Sequence, residues 1–203
     1  RLSEISKYID TAIVQDYEVY PYVKDYYKHV HVLPLAIDIK KFTPSYPRKD
    51  QSEPLIIHAP TNREFKGTDY IDNAIEILKG TKQFNYTLIE KMNHKEALDM
   101  YMKSDIIIDQ LLIGTYGMLS VEAMAMGKVV VGYIREDVRN QLPYKLPIVT
   151  ATPENIHDVL ADLIDNPEKR FEIGQQGRKY VRDYHASDKV AQQLISIYNN
   201  LNQ

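Results

Sequence analysis

Leu55–His58 and residues 84–89, 105–109, 128–133 and 147–149 form five short, mainly apolar runs bounded by polar residues, glycine or proline. That pattern predicts strands buried on both faces of a sheet. Between the runs, apolar positions recur at helical spacing over Thr68–Lys79 and residues 94–102, 118–126 and 153–164. Strand–helix alternation of this kind predicts an α/β fold with a Rossmann-like, doubly wound parallel sheet. Two further helices close the chain, over residues 167–184 and Ser187–Leu201, the last capped by Ser187 or Asp188.

The first part has a different texture. Residues 2–9 and 16–27 follow helical patterns, residues 12–14 follow a strand pattern, and His31–Val32–Leu33 leads into Pro34. Residues 43–54 are polar and proline-bearing, and are expected to be a linker. The chain starts at Arg1 with a helical pattern under way, which suggests a piece whose natural N-terminal part is missing. No repeat or low-complexity segment interrupts it.

Composition adds exclusions. A chain of 203 residues suits one well-packed domain with a smaller attachment. A net charge of -3 gives no global pull toward nucleic acid or anionic membrane. The absence of cysteine excludes disulfides and thiolate metal sites, and fits a reducing cytoplasm. No apolar run is long enough to span a bilayer, and no signal peptide is visible.

In an open parallel sheet, ligands bind beyond the carboxyl ends of the strands. Three loops there carry candidate chemistry. The first runs from Ala59 through Thr61, Asn62, Arg63 and Lys66 to Gly67 and Thr68. Lys66 is expected at a helix start, where the dipole disfavours a cation. A bound anion resolves that conflict, with Arg63 as a second clamp, and a solvated basic loop is the alternative. The second loop, Glu90-Lys91-Met92-Asn93-His94, offers Asn93 as an N-cap and His94 as a ligand contact or a solvated helix-start residue. No histidine pair falls on one helix face, so no metal site is expected.

The third loop, residues 110–117, contains Gly114 and Gly117, which let backbone amides approach a ligand. The helix that follows aims its free N–H groups at the same place. Glu122 lies one turn into that otherwise apolar helix and needs polar partners. Ribose or sugar hydroxyls would serve, as would a protein donor or water. Met118, Met124 and Met126 are expected in core packing, and Gly127 is expected to end the helix.

Gly114-Thr115-Tyr116-Gly117 followed by Val121-Glu122-Ala123-Met124-Ala125-Met126-Gly127 resembles the donor-site signature of retaining GT-B glycosyltransferases of the group-1 (family 4-like) class. Residues 31–38 with Phe42-Thr43-Pro44 resemble that class's interlobe segment, and Lys66-Gly67 its Lys-Gly pair. Residues 101–109 resemble its approach to the donor strand, and Gly174-Gln175-Gln176-Gly177-Arg178 its late helix. The resemblance implies the C-terminal, donor-binding lobe of a GT-B fold over residues 41–186. It makes residues 1–40 the end of the acceptor lobe and the hinge, and residues 187–203 a crossover helix. It implies transfer of a hexosyl group from a UDP- or GDP-sugar, with retention, in cell-surface polysaccharide synthesis.

Lys66 and Arg63 would then stabilise the departing diphosphate. Donor contacts would come from Thr61, Asn62, Gly67, Asn93, Thr115, Tyr116, Gly117, Met118 and Glu122, with Glu122 on the ribose. Neither cofactor nor metal is implied, and no Asp-x-Asp motif is present. The acceptor, a glycan, lipid-linked or small molecule, would be held by the missing lobe, and the fragment alone would be inactive. Nucleic acid is not an expected partner. The implied location is the cytoplasm, with the inner face of the plasma membrane and peripheral association of the full-length protein as an option. The class usually has a glutamate where Gly114 stands, contacting the transferred sugar; Asp109 and Gln110 are the nearby substitutes. The missing glutamate also leaves open a non-catalytic sugar-nucleotide-binding or scaffold module. A flavodoxin-like or receiver domain is the remaining alternative, and the acidic cluster a receiver needs is not evident around Asp109.

Overall fold

The computed structural model describes residues 1–201. The chain opens with α1 (Leu2–Ile5), β1 (Thr11–Val14), α2 (Tyr20–Val23) and β2 (His29–Val32), and β1 and β2 pair in parallel as a small sheet. Both helices are much shorter than the patterns at residues 2–9 and 16–27 predict. α1 buries no residue and α2 buries only Val23, so little tertiary packing extends them. Asp16 also accepts a hydrogen bond from Val19 N at 2.9 Å, closing a turn where the helix was expected to start.

The main unit contains β3 (Leu55–His58), α3 (Arg63–Lys66), α4 (Thr68–Lys79), β4 (Asn85–Leu88), α5 (His94–Lys103), β5 (Ile106–Ile108) and α6 (Met118–Ala125). It continues with β6 (Val129–Gly132), α7 (Glu136–Gln141), β7 (Val149–Thr150), α8 (Ile156–Asp165) and α9 (Pro167–Tyr180). A π-helical turn, Val181–His185, then leads into α10 (Ser187–Leu201). The sheet is parallel throughout, in the order β4-β3-β5-β6-β7.

Alternate residues of each strand serve opposite faces, which is why the strands read as unbroken apolar runs. Ile57, Ile107 and Val130 face a core shared with α6 and the end of α9. Ile56, Ile106, Ile108, Val129 and Val131 face Ile71, Ile75 and Leu78 of α4 and Leu160 and Leu163 of α8. Each fully buried aliphatic side chain contributes roughly 1.5–3 kcal/mol.

Two short helices differ from expectation. α3 forms because the Asn62 side chain accepts from Phe65 N, and Gly67, at φ 73°, ends it. α7 is polar and buries only Val138, so it leaves no apolar periodicity to read. Gly127 does end α6, at φ 76°.

Residues 43–54 are a strap rather than a free linker. Ser45 N donates to Met126 O at 2.8 Å, Lys128 Nζ donates to Ser45 O at 2.5 Å, and Arg170 Nη2 donates to Gln51 O at 2.5 Å. Arg178, also of α9, donates to Phe42 O and Ile39 O just before this segment. Residues 33–42 carry the chain from the small sheet into this strap. There Ile37 bridges Ala186, with Ile37 N donating to His185 O and Ser187 N donating to Ile37 O.

Candidate functional site

From β3 the chain crosses to β4 on one side and then returns to β5 on the other, so the loops after β3 and β5 diverge. A crevice at such a switch point is the expected ligand site of an open parallel sheet. Lys66 arrives from the β3 loop and Asp109 from the end of β5. Lys66 Nζ donates to Asp109 Oδ1 at 2.5 Å, and Ser120 Oγ of α6 donates to Asp109 Oδ2 at 2.6 Å. Asp109 is only 2% exposed. The negative charge that Lys66 needs is therefore supplied by the protein, and no bound anion is required to explain the lysine. Lys66 also lies in the last turn of α3 rather than inside α4.

Behind this pair, His58 is fully buried. Its Nδ1 lies 2.8 Å from Ile108 O and its Nε2 2.9 Å from Thr68 Oγ1. A carbonyl only accepts, so Nδ1 carries the proton and Thr68 donates to Nε2. Burial lowers the His58 pKa, which keeps the ring neutral. The ring clamps the carboxyl ends of β3 and β5 to the start of α4.

Glu122, 7% exposed, meets His94 Nε2 at 2.9 Å through Oε1. Burial raises the Glu122 pKa and His94 opposes that shift. The His94 side chain is itself 68% exposed, so the pair sits at the edge of the crevice. α6 starts at Gly117 with no side-chain cap, and a Cβ at Gly117 would meet nothing within 4 Å. The start of α6 thus lies beside Lys66 and Asp109, which Ser120 contacts, and its first N–H groups have no partner within the helix.

The other sequence candidates divide. Arg63 is held by carboxylates, Asp72 at 2.8 Å, Glu90 at 3.4 Å and Asp69 at 3.9 Å, and an incoming anion has to compete with them. Asn62 and Asn93 spend their side-chain oxygens on the N-caps of α3 and α5. Thr61 is exposed. Gly67 packs on Leu111 and Leu112, and Leu111 N donates to Lys66 O, joining the first and third loops. Met118 is part-exposed at the α6 start, not in the core; Met124 and Met126 are buried. The Tyr116 side chain turns inward, its hydroxyl 3.0 Å from both Tyr180 Oη and His185 Nε2. Thr115 Oγ1 is buried without a hydrogen-bond partner among the described residues.

Neither nearby substitute for the absent glutamate is free. Both oxygens of Asp109 are engaged, as above. Gln110 holds the third loop together, donating to Thr115 O and Tyr133 O at 2.7 Å and accepting from Ile113 N at 2.6 Å. Gly114 has its own reason: a Cβ there would lie 2.9 Å from Arg135 Cβ, and Arg135 N donates to Gly114 O. Ser120, His58 and Arg135 were not singled out from the sequence. An Asp at a strand end followed eleven residues later by a serine on the next helix was the available signal for Ser120. Among the described residues, no three His, Asp or Glu side chains converge as a metal site.

A family model described as glycosyl transferase-like matches residues 62–196. The chain belongs to this glycosyl transferase-like family. It is similar to the MMP alpha-(1->4)-mannosyltransferase of Mycolicibacterium hassiacum, with 21% identity over 226 residues, 97% of this chain and 53% of that protein. Among solved structures it is similar to a sucrose-phosphate synthase from Thermosynechococcus elongatus, with TM-score 0.70, 15% identity, and coverage of 98% of this chain and 60% of that one. It is also similar to Anabaena HepE in complex with UDP, with TM-score 0.75, 11% identity, and coverage of 98% and 66%. A third is a point mutant of Staphylococcus aureus TarM in complex with Fondaparinux, alpha-GlcNAc-glycerol and UDP, with TM-score 0.71, 15% identity, and coverage of 97% and 45%. The chain spans about half the length of its curated relative. The structural likenesses show the fold, that of GT-B glycosyltransferases. A strand order also found in flavodoxin-like folds therefore belongs here to a glycosyl transferase-like unit.

Proposed function

We propose that this chain is the donor-binding part of a glycosyltransferase, holding a nucleotide-diphosphate sugar at the β3–β5 switch point for transfer to an acceptor. The observation that carries the reading is a cation, Lys66, held beside the uncapped N-terminus of α6 at the position where this sheet topology binds ligands. In this reading the diphosphate lies against the α6 amides and shares Lys66 with Asp109. The negative charge that grows on the departing diphosphate is met by groups already in place, which is electrostatic stabilisation of the transition state. Glu122 accepts hydrogen bonds from the ribose hydroxyls, and His94 releases or shares it. Arg63 contributes by exchanging a carboxylate partner for phosphate.

Residues 1–40 are assigned to the end of the acceptor-binding lobe and the hinge, 41–186 to the donor lobe, and Ser187–Leu201 to a crossover helix, the last two of the expected residues 187–203 lying outside the described residues. Retention at the anomeric carbon, a hexosyl donor carried on UDP or GDP, metal-independent transfer and a role in surface polysaccharide synthesis belong to the same proposal. HepE and TarM, each solved in complex with UDP, support the nucleotide part of it. Membership of the family does not favour the binding-module alternative.

Titration calorimetry with UDP, GDP and their sugars tests the site. One nucleoside diphosphate is expected to bind with and without EDTA, more tightly than its nucleoside. Absence of binding by every nucleotide, to a folded protein, overturns the reading.

A further inference from the structure

Among the described residues, one hydrogen bond joins residues 1–36 to the main unit: His185 Nδ1 to Leu35 O, at 2.7 Å. Among the described residues it is accompanied by one long ion pair, Glu18–Arg135 at 3.9 Å. His185 stands where the chain crosses twice, beside the Ile37–Ala186 bridge. It ends a π-helical turn, a departure from α-helical winding that recurs at functional points of helices.

The direction of the hydrogen bonds is fixed by chemistry. Leu35 O only accepts, so His185 Nδ1 carries the proton and Nε2 accepts. Tyr116 therefore donates to His185 Nε2, and Tyr180 donates to Tyr116. The chain reads Tyr180, Tyr116, His185, Leu35, with no freedom to reverse. It starts on α9 at Tyr180, passes through the loop between Gly114 and Gly117 at Tyr116, and ends on the segment that carries residues 1–36.

The seam around this chain is incompletely filled. A cavity of about 20 Å³, room for about one water, is lined by Asp16, Tyr17, Leu35, Thr115, Tyr116 and His185 among others. The unpartnered Thr115 Oγ1 lies on its wall. A buried hydroxyl without a partner is costly, and a water in this cavity would supply one.

We infer that Tyr116 and His185 are positioning residues that couple the Gly114–Gly117 loop mechanically to the crossing at Leu35–Ile37. The part of this that concerns ligand rests on the donor-site reading of that loop. Motion of residues 1–36 about the crossing pulls on Leu35 O, and the Tyr116–His185 bond passes that displacement to the loop whose far end is the open start of α6. Ligand bound at α6 acts back on the crossing through the same bond, because coupling between two sites is reciprocal.

Hydrogen exchange on the protein and its variants tests this. The reporters are the amides of Ile37 and Ser187 at the crossing, and of Ile113 and Val121 around the loop. Tyr116→Phe keeps the ring and removes the bond; it is expected to speed exchange at both groups of reporters about fivefold, the ratio set by one lost net hydrogen bond. Strand amides in β3 and β5 stay unchanged. Tyr180→Phe removes a hydroxyl from the same buried chain but leaves the Tyr116–His185 link, and is expected to leave Ile37 and Ser187 as they are. His185→Gln retains one donor and one acceptor and is expected to behave as the parent protein; His185→Phe is expected to match Tyr116→Phe.

Equal effects of Tyr116→Phe and Tyr180→Phe at the crossing indicate general loosening and overturn the coupling. So does acceleration confined to the loop. If Tyr116→Phe does not fold, the His185→Gln and His185→Phe pair decides by the same reporters. In a second arm, UDP and GDP are added: the one that binds is expected to slow exchange at Ile37 in the parent protein and not in Tyr116→Phe. Failure of both to bind counts against the donor site alone, because the ligand-free comparison still decides the coupling.

Discussion

Lys66 and Asp109 neutralise each other where little water reaches, and that sets how each residue responds to change. Lys66→Ala leaves Asp109 buried with only Ser120, which costs roughly 3–5 kcal/mol of stability. Loss of nucleotide binding in that variant would therefore mix unfolding with a lost contact. Lys66→Ala combined with Asp109→Asn removes both charges and is expected to recover most of the stability while still discriminating poorly between nucleoside diphosphate and nucleoside. Glu122→Ala is expected to weaken both ligands alike, by roughly 1–3 kcal/mol, because its partners are ribose hydroxyls. Denaturant titration and calorimetry on these variants separate the two effects. A double variant that keeps the full preference for the diphosphate overturns the role of Lys66. Gly114 is legible in the sequence as a departure from the resembled class, but only the fold shows that a side chain there would collide with Arg135, 21 residues later in sequence.

Among the elements, α6 is the one on which the site depends, and it is buried almost all round. Its outer side is covered by α9, which approaches closely because Gly174 and Gly177 present no side chains. A Cβ at Gly174 would lie 2.3 Å from Gly127 O, and one at Gly177 would lie 3.2 Å from Met124 Cγ. The first obstacle is backbone and the second is a flexible side chain. Gly174→Ala is therefore expected to lower stability by more than about 2 kcal/mol and Gly177→Ala by less, measured by thermal or denaturant unfolding. Equal effects would mean that α9 moves as a rigid body rather than clashing locally. The same elements show the limits of pattern reading. Thr68–Lys79 and Ser187–Leu201 were predicted to the residue, because a strong apolar stripe and polar ends coincide. α7 left no stripe and was not seen.

At the scale of the whole molecule, the small sheet joins the five-stranded unit at a crossing that includes buried His185. Burial lowers its pKa to about 4, against an ordinary value of 6.5. Above pH 6.5 the ring is neutral folded and unfolded, and its contribution is complete. As pH falls toward 4, the unfolded chain takes up a proton that the folded ring refuses, so stability drops across that window. The expected loss is about 3 kcal/mol. Unfolding measured at pH 7 and pH 4.5 is expected to show a steeper acid decline for the parent protein than for His185→Gln. Parallel declines would mean that His185 does not titrate across the folding transition.

The sequence by itself determined the strand runs, most helix limits, the three loops at the carboxyl ends and the family-like stretch from Gly114 to Gly127. These follow from local signals, apolar period, caps and glycine, whose reach is a few residues. Tertiary structure alone decided that Lys66 pairs with Asp109, 43 residues away, and that Tyr116 turns inward to His185, 69 residues away. It also made residues 43–54 a strap, because buried Lys128 and Arg170 each donate a hydrogen bond to one of that segment's carbonyls. Each of these is a polar group whose partner is chosen by burial. A buried donor or acceptor has to be met by whatever the folded chain brings within about 3 Å, and no spacing in the sequence encodes that choice.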